Sequence, residues 1–108
     1  MPESFITHLE CSNCGLTYEH TDPMRTCPSC EKVLFARYDL DKAAGAKVDL
    51  QGRDPNMWRY REVMPVKDEA NIITLGEGMT PIIDAVRLAK EVGSPRLLLK
   101  DEGVCPTG

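Results

Sequence analysis

Two Cys-x-x-Cys pairs constrain the fold of this chain more than any other feature. Cys11 pairs with Cys14 and Cys27 with Cys30, and 12 residues separate the two pairs. Each pair forms a tight turn that brings two thiolates together, and two such turns supply the four ligands of a tetrahedral zinc site. Gly15 follows the first pair directly and suits the positive φ angle that these turns often need. The sequence therefore predicts a structural metal site.

Three other roles for these four cysteines compete with zinc. Two disulfides are disfavoured, because the N-terminus MPESFITHLE shows no export signal and cytoplasmic thiols stay reduced. A thioredoxin-type redox pair needs a strand followed by a helix, whereas Cys14 leads into Gly-Leu-Thr-Tyr. The iron protein rubredoxin has a similar pattern but places its pairs further apart. Zinc is the preferred prediction, and a closed four-sulfur site leaves no position for a substrate.

Length and composition limit what can surround this site. The chain has 108 residues, 42% of them hydrophobic and 28% charged, which fits one domain or one domain and part of another. Its apolar stretches fall short of the roughly 18 residues of a spanning helix, so we expect no membrane partner. The missing export signal and the cysteines, expected to be reduced, predict a cytoplasmic location. The net charge of −4 argues against a nucleic-acid partner, because such proteins neutralise phosphates with basic residues.

The first 40 residues are predicted to form the zinc ribbon. The alternation of apolar and polar residues from Phe5 to Cys11 predicts a strand, and the β-favouring run Val33–Tyr38 predicts another. Residues 41–71 are predicted to form a linker with a short helix. Within this linker, Met57–Val63 is expected to form a short helical or 3₁₀ segment rich in aromatic residues.

Residues 72–108 predict the start of an α/β domain that is incomplete in this chain. Ile72–Leu75 is expected to form a strand, and a helix is expected to begin at an N-cap at Asp84 and to end at Gly93. Arg96–Lys100 predicts a short buried strand, of the kind found in parallel sheets. The predicted fold class is α+β, a small β zinc ribbon followed by an incomplete α/β segment.

A basic and aromatic cluster lies in the linker, formed by Arg53, Trp58, Arg59, Tyr60 and Arg61. Such a cluster can stack on a nucleobase. It can equally anchor the linker to the neighbouring structure, and the acidic surroundings favour this second interpretation.

Three further groups of residues are weaker candidates. Cys105 has no histidine near it in sequence, which favours a small half-buried residue over a reactive thiol. His8 and His20 flank the first cysteine pair, but four cysteines already complete the metal site, so we interpret both as surface or strand residues. Lys100–Glu102 follows a predicted strand, where α/β folds often place active-site residues, although a solvated charge cluster fits equally well.

Several short segments together resemble the threonine synthase family, whose members are pyridoxal-phosphate (PLP) enzymes with the tryptophan-synthase-β type of fold. They occur in the family's order over nearly the whole chain and follow a Cys-x-x-Cys pair. The matching segments are Leu34–Asp39, Met57–Arg61, Thr74–Gly78, Thr80–Pro81 and Leu99–Gly103.

The resemblance implies that the parent protein is a carbon–oxygen lyase of threonine biosynthesis. Its substrate would be a phosphorylated amino acid, O-phospho-L-homoserine, which it converts to L-threonine and phosphate. In the family the last segment reads Asn-Pro-Thr-Gly and continues through serine and phenylalanine to the lysine that forms the Schiff base with PLP. Here Pro106-Thr107-Gly108 match, Cys105 stands at the asparagine position, and the chain ends before that lysine.

The resemblance therefore implies that this chain alone is inactive and contains no catalytic or cofactor-binding residue of its own. Its predicted site residues are the metal ligands Cys11, Cys14, Cys27 and Cys30. The alternative is a free-standing zinc-ribbon module that binds a protein or a nucleic acid. We also expect the fragment to self-associate, because the Arg96–Lys100 strand would lack its later neighbours and leave an open edge.

Overall fold

The computed structural model describes residues 3–47 and 49–106, and their contacts divide the chain into two compact units. The first unit comprises the residues up to Arg53 together with Trp58–Ile72, and the second comprises Asp54–Met57 and the residues from Ile73 onward. Antiparallel strands and short helices make up both units, so the predicted α+β class is confirmed. The domain boundaries 1–40, 41–71 and 72–108 stay predictions.

A three-stranded antiparallel sheet forms the centre of the first unit. Its strands are β1 (Ile6–Cys11), β2 (Thr17–Tyr18) and β3 (Leu34–Tyr38), in the order β2-β1-β3. Both strands predicted for this part of the chain are present. The register between β1 and β3 shifts between Ile6 and His8, and such a bulge interrupts the alternation of side chains along a strand. Ile6 and Cys11 are accordingly both buried, although they are five positions apart and strict alternation would place them on opposite faces.

The apolar core of the first unit is very small. Among the described residues, the buried apolar side chains of this unit are Ile6, Cys11 and Cys27. Two of these three residues are predicted metal ligands. A domain with so little buried apolar surface needs another source of stability, which a structural metal can provide.

The rest of the first unit packs against the start of β1. Helix α1 (Leu40–Gly45) is capped by the Asp39 carboxylate, which accepts a hydrogen bond from the Lys42 amide at 2.9 Å. The 3₁₀ segment Met57–Val63 is present as predicted. From within it, the backbone carbonyl of Glu62 accepts a hydrogen bond from the Phe5 amide at 2.8 Å.

Arginine side chains hold this segment in place. Arg53 donates to both carboxylate oxygens of Glu62, at 2.9 and 2.6 Å, and to the backbone carbonyl of Arg59 at 2.6 Å. Arg59 in turn donates to the carbonyl of Leu50 at 2.7 Å. These internal bonds support the interpretation of the cluster as an anchor rather than a nucleobase platform.

The second unit contains a two-stranded antiparallel sheet and one helix. Strand β4 (Ile82–Asp84) leads into helix α2 (Val86–Val92), and strand β5 (Leu98–Lys100) pairs with β4 so that Ile82 lies opposite Lys100. The predicted strand at Arg96–Lys100 is thus present, but the prediction that it is buried and parallel is wrong. Leu98 and Leu99 are 47% and 43% exposed, because no further layer covers the two strands in the described part of this unit.

The strand predicted over Ile72–Leu75 is also wrong, because side chains bind the amides of Leu75 and Gly76 and turn the chain at the end of this segment. The Glu77 carboxylate accepts hydrogen bonds from the Leu75 amide and the Thr74 hydroxyl, both at 2.9 Å. The Thr74 hydroxyl accepts from the Gly76 amide at 3.1 Å. Threonine side chains of this kind compete with strand pairing, and they produce a turn here.

The start of helix α2 differs from the prediction, whereas its end agrees with it. Ala85 rather than Asp84 occupies the N-cap, because Asp84 belongs to β4 and lies opposite Leu98. Gly93 ends the helix in the left-handed conformation at φ 72°, as the sequence predicts. Within the described ranges, no helix has the length and apolar character needed to cross a membrane.

Candidate metal centre

The two Cys-x-x-Cys pairs fold into turns of the same design. In the first turn, the Cys11 amide donates to the carbonyl of Leu16 at 2.9 Å, and Gly15 donates to the carbonyl of Cys11 at 3.3 Å. In the second, the Cys27 amide donates to the carbonyl of Lys32 at 2.9 Å, and Glu31 donates to the carbonyl of Cys27 at 2.8 Å. The hydrogen bonds thus repeat at equivalent positions, four and five residues after the first cysteine of each pair.

These turns bring the four predicted ligands together. The Sγ atoms of Cys11, Cys14, Cys27 and Cys30 all lie within 4.8 Å of one another. Those of Cys11 and Cys30 are 3.3 Å apart, and those of Cys14 and Cys27 are 3.7 Å apart. Four sulfurs around zinc at 2.3 Å are separated by about 3.8 Å in a tetrahedron. The cluster therefore fits a metal ion held by four thiolates, and every ligand predicted from the sequence is part of it.

Backbone amides and a phenol favour the thiolate form of two of these cysteines. The amides of Cys14 and Asn13 both point at the sulfur of Cys11 from 3.4 Å. Both lower the pKa of Cys11, and the Cys14 amide has the larger effect. A hydrogen bond from Tyr18 lowers the pKa of Cys27 to about 6 against the opposing effect of burial. Metal binding needs deprotonated sulfurs, so both effects prepare the cluster for a cation.

The pKa of Cys14 is shifted in the opposite direction. The Leu16 amide favours its thiolate, but burial and the hydrogen bonds with neighbouring thiols outweigh this and raise the pKa of Cys14 to about 12. Four sulfurs this close together cannot all carry a negative charge unless a cation lies among them. The cluster can therefore carry four thiolates only with a cation at its centre.

Tyr18 is the member of this site that sequence reasoning missed. Its hydroxyl lies 3.2 Å from the sulfur of Cys27, and this hydrogen bond is the main reason why the pKa of Tyr18 rises to about 12. Cys27 is completely buried, so the phenol replaces the water that its sulfur has lost. The spacing Cys-x-x-Cys-Gly-x-x-Tyr contains the signal, although only the folded hairpin shows which sulfur the phenol contacts.

If the cluster holds zinc as the sequence predicts, we expect Tyr18→Phe to weaken its binding about tenfold, because the change removes a hydrogen bond to the sulfur of Cys27. Competition with a chromophoric chelator at pH 7 measures the affinity. Tyr38→Phe is the matched control, since Tyr38 lies opposite Ile6, at the far end of the β1–β3 pair from Cys11. Equal affinities for the two variants would show that the phenol does not support the metal site.

The left-handed residue of each turn gives a second prediction. Gly15 has φ 72°, and Glu31 at the equivalent position of the second turn has φ 61°. We expect Gly15→Ala to destabilise the zinc-loaded protein by about 1 kcal/mol through backbone strain alone, since an added Cβ meets no atom within 4 Å. Glu31→Gly, which removes the same strain, is expected not to destabilise it. Denaturant unfolding measures both, and a Gly15→Ala variant of unchanged stability contradicts the prediction.

The other candidates lie outside this cluster. His8 is half-buried on β1, and His20 is half-buried in the loop after β2; the sulfur cluster contains neither. Cys105 is half-buried and belongs to the second unit. Its neighbours Thr107 and Gly108 lie outside the described residues.

Comparisons with known proteins relate the chain to one group of enzymes. It is 35% identical to the threonine synthase of Methanosarcina acetivorans over 94% of its own length, and 40% identical to that of Methanocaldococcus jannaschii over 91%. In both cases it spans 24% of the relative's length. A threonine synthase of Synechocystis sp. is 44% identical over 45% of this chain and 13% of its own length. No protein-family model and no solved structure matches.

Proposed function

Since the chain belongs to the threonine synthase family, we propose that it is the N-terminal part of an enzyme that converts O-phospho-L-homoserine to L-threonine and phosphate. The similarity to two threonine synthases over more than nine-tenths of this chain carries the proposal. PLP would serve as the electron sink in such a reaction. Because the chain spans 24% of these relatives, the activity is assigned to the longer protein.

In this proposal the 108 residues contribute no catalytic side chain. None of the chain's lysines occupies the position of the lysine that holds PLP in the family, because the matching Pro-Thr-Gly segment stands at residues 106–108. The six lysines are Lys32, Lys42, Lys47, Lys67, Lys90 and Lys100. The glycine-rich segment that would hold the cofactor's phosphate is likewise expected in the remaining part of the enzyme.

The ribbon's proposed contribution is stability through a structural zinc ion. Cys11, Cys14, Cys27 and Cys30 would use all four positions of the ion, so no position stays open for a substrate. Zinc and iron both accept four thiolates. We expect a colourless protein with one zinc per chain, whereas a red protein with visible thiolate-to-iron absorption would identify iron. A cytoplasmic location, where thiols stay reduced, is part of the same proposal.

The test is an activity assay on the protein encoded by the complete reading frame that contains this chain. We expect it to bind PLP and to release threonine and phosphate from O-phospho-L-homoserine. The 108-residue chain, assayed in parallel, is expected to release neither product. A PLP-loaded complete protein that forms no threonine would refute the assignment.

A free-standing zinc-ribbon module is the second candidate, and the comparisons do not favour it. The similarity extends over 100 residues rather than over the cysteine-rich part alone, and this span reaches residues of both units. A module that merely shared the ribbon would match over a much shorter stretch. Reading the gene beyond Gly108 separates the two: an open frame with the family's serine, phenylalanine and lysine supports the enzyme, and a stop codon supports the module.

We further propose that the 108-residue chain self-associates through the sheet of its second unit. Strands β4 and β5 pair with each other, and their apolar side chains Ile82, Ile83, Leu98 and Leu99 are all between 43% and 65% exposed. Two-stranded sheets are marginally stable in water, and open edges invite further pairing. Sedimentation should show dimers or larger species at high concentration, fewer of them after Leu99→Lys. A strictly monomeric profile contradicts the proposal.

A further inference from the structure

The side chains of Lys100 and Glu102 both bind Thr80, which lies two residues before β4. The Thr80 hydroxyl donates to Oε1 of Glu102 at 2.6 Å, and its backbone carbonyl accepts from Nζ of Lys100 at 2.8 Å. Thr80 is only 8% exposed. A buried hydroxyl that loses its acceptor is costly, and a bond to a carboxylate is stronger than one between neutral groups. These contacts tie the end of β5 to the start of β4.

The turn after β5 is held at several further points. The Asp101 amide donates to the carbonyl of Pro81 at 3.0 Å, and the Asp101 carboxylate accepts from the Gly103 amide at 3.0 Å. The carbonyl of Glu102 accepts from the Cys105 amide at 3.3 Å. The segment from Asp101 to Cys105 is therefore fixed by its own hydrogen bonds and by the start of β4.

The chain that leads into Thr80 is itself tightly constrained. Gly78 adopts φ 106°, and a Cβ at this position would lie 2.9 Å from the backbone nitrogen of Met57. The Met57 amide donates to the carbonyl of Glu77 at 2.9 Å, and Met79 adopts a left-handed φ of 49°. Close backbone approach and positive φ angles leave this loop few alternative conformations, so Thr80 is a fixed point for the groups that bind it.

We infer that Thr80, Lys100 and Glu102 form a clamp that positions the turn Asp101–Cys105 for the reaction. The inference rests on the proposed function, in which this turn leads directly into the segment that carries the PLP-binding lysine. In this role the three residues are positioning residues, since they act by binding one another. From the sequence alone, Lys100–Glu102 fits an active-site group and a solvated charge cluster equally well. The inference gives Lys100 and Glu102 a specific role, which is to hold the turn through Thr80.

The first arm of the test measures the clamp itself in the complete protein, without reference to activity. Thr80→Val removes the hydroxyl at nearly constant shape and should speed hydrogen exchange of the Gly103 and Cys105 amides at least about tenfold. Thr80→Ser should restore protection. Asp84→Asn is the matched control, because it changes only an exposed contact with Arg96 at 3.6 Å in the same unit. Unchanged exchange in Thr80→Val overturns the clamp.

The second arm measures the consequence for the cofactor and the reaction. We expect Thr80→Val to weaken PLP binding, measured by absorbance titration, and to lower kcat about 10- to 100-fold with a smaller change in KM. Thr80→Ser should recover both values, and Glu102→Gln provides a second test if Thr80→Val fails to fold. Faster exchange with unchanged kcat and PLP affinity would overturn the positioning role.

The two proposals fail in different ways. If the unmodified complete protein neither binds PLP nor forms threonine, the proposed function is wrong and the positioning role is wrong with it. If that protein is active but Thr80→Val matches it in exchange, kcat and PLP affinity, only the clamp is wrong. Loss of both protection and kcat in Thr80→Val, with recovery in Thr80→Ser, supports the inference.

Discussion

Replacing Cys27 by serine is expected to abolish binding of the proposed zinc ion and to unfold the first unit of the structure. Cys27 is completely buried, and its sulfur lies 3.7 Å from that of Cys14 and 3.2 Å from the Tyr18 hydroxyl. A serine oxygen is a poor substitute for a thiolate, and structural zinc contributes on the order of 10 kcal/mol to small domains at neutral pH. Since Ile6 is the one buried apolar residue of the described part of this unit besides Cys11 and Cys27, little else can compensate.

Elemental analysis and circular dichroism check this prediction together. The zinc content should fall from one ion per chain to none, with loss of the strand signal, and an excess of chelator should have the same effect on the unmodified protein. Cys105→Ser is the control, because Cys105 is half-buried in the second unit and should leave the zinc content at one. A Cys27→Ser protein that retains zinc and its strands would show that the four sulfurs do not act as one site.

Glu62→Gln is expected to destabilise the protein by about 3 kcal/mol, because it leaves the Arg53 guanidinium without its charged partner in a largely buried place. The side chains of Arg53 and Glu62 are only 18% and 6% exposed, and two hydrogen bonds join them. Glu10→Gln is the matched control: it weakens a pair in which Nε and Nη2 of Arg37 contact the Glu10 carboxylate, and both partners are more exposed, Glu10 at 31% and Arg37 at 51%. Such a surface pair contributes less than about 1 kcal/mol.

The effect of Glu62→Gln should depend on pH in a defined direction. The hydrogen bond from Arg53 is the main reason why the pKa of Glu62 lies below its ordinary value of 4.5. A carboxyl group with a lowered pKa stabilises the fold above its unfolded-state pKa and loses that contribution as the pH falls through its folded-state value. Urea unfolding should therefore show a large difference between the two proteins at pH 7 that shrinks below pH 4.5. A constant difference, or one as small as that of Glu10→Gln, contradicts the ion-pair argument.

The metal cluster could be predicted from the sequence because its signal is local. Each Cys-x-x-Cys pair fixes its own turn, so the residue spacing alone identifies Cys11, Cys14, Cys27 and Cys30. The contact from Tyr18 to Cys27 depends on how two separate turns face each other. No short-range pattern contains that information.

The errors in the second unit have two physical causes. Ile72–Leu75 has the composition of a strand, but the side chains of Glu77 and Thr74 bind the amides of Leu75 and Gly76 and turn the chain there. The apolar run at Arg96–Lys100 predicts a strand correctly through the preferences of its residues. Its burial depends on layers of structure that this unit of the chain does not contain.

The contacts at the start of β1 determine the order in which the first unit can fold during synthesis. A nascent chain that has exposed Tyr38 already contains all four cysteines and strands β1 to β3. Yet the Phe5 amide bonds to the carbonyl of Glu62, and the Ser4 hydroxyl to that of Met64, 60 residues along the chain. At about 5 to 20 residues per second on the ribosome, a second or more passes between the synthesis of Tyr38 and that of Met64. The four cysteines are thus available to a metal ion before the N-terminal edge of the ribbon can close.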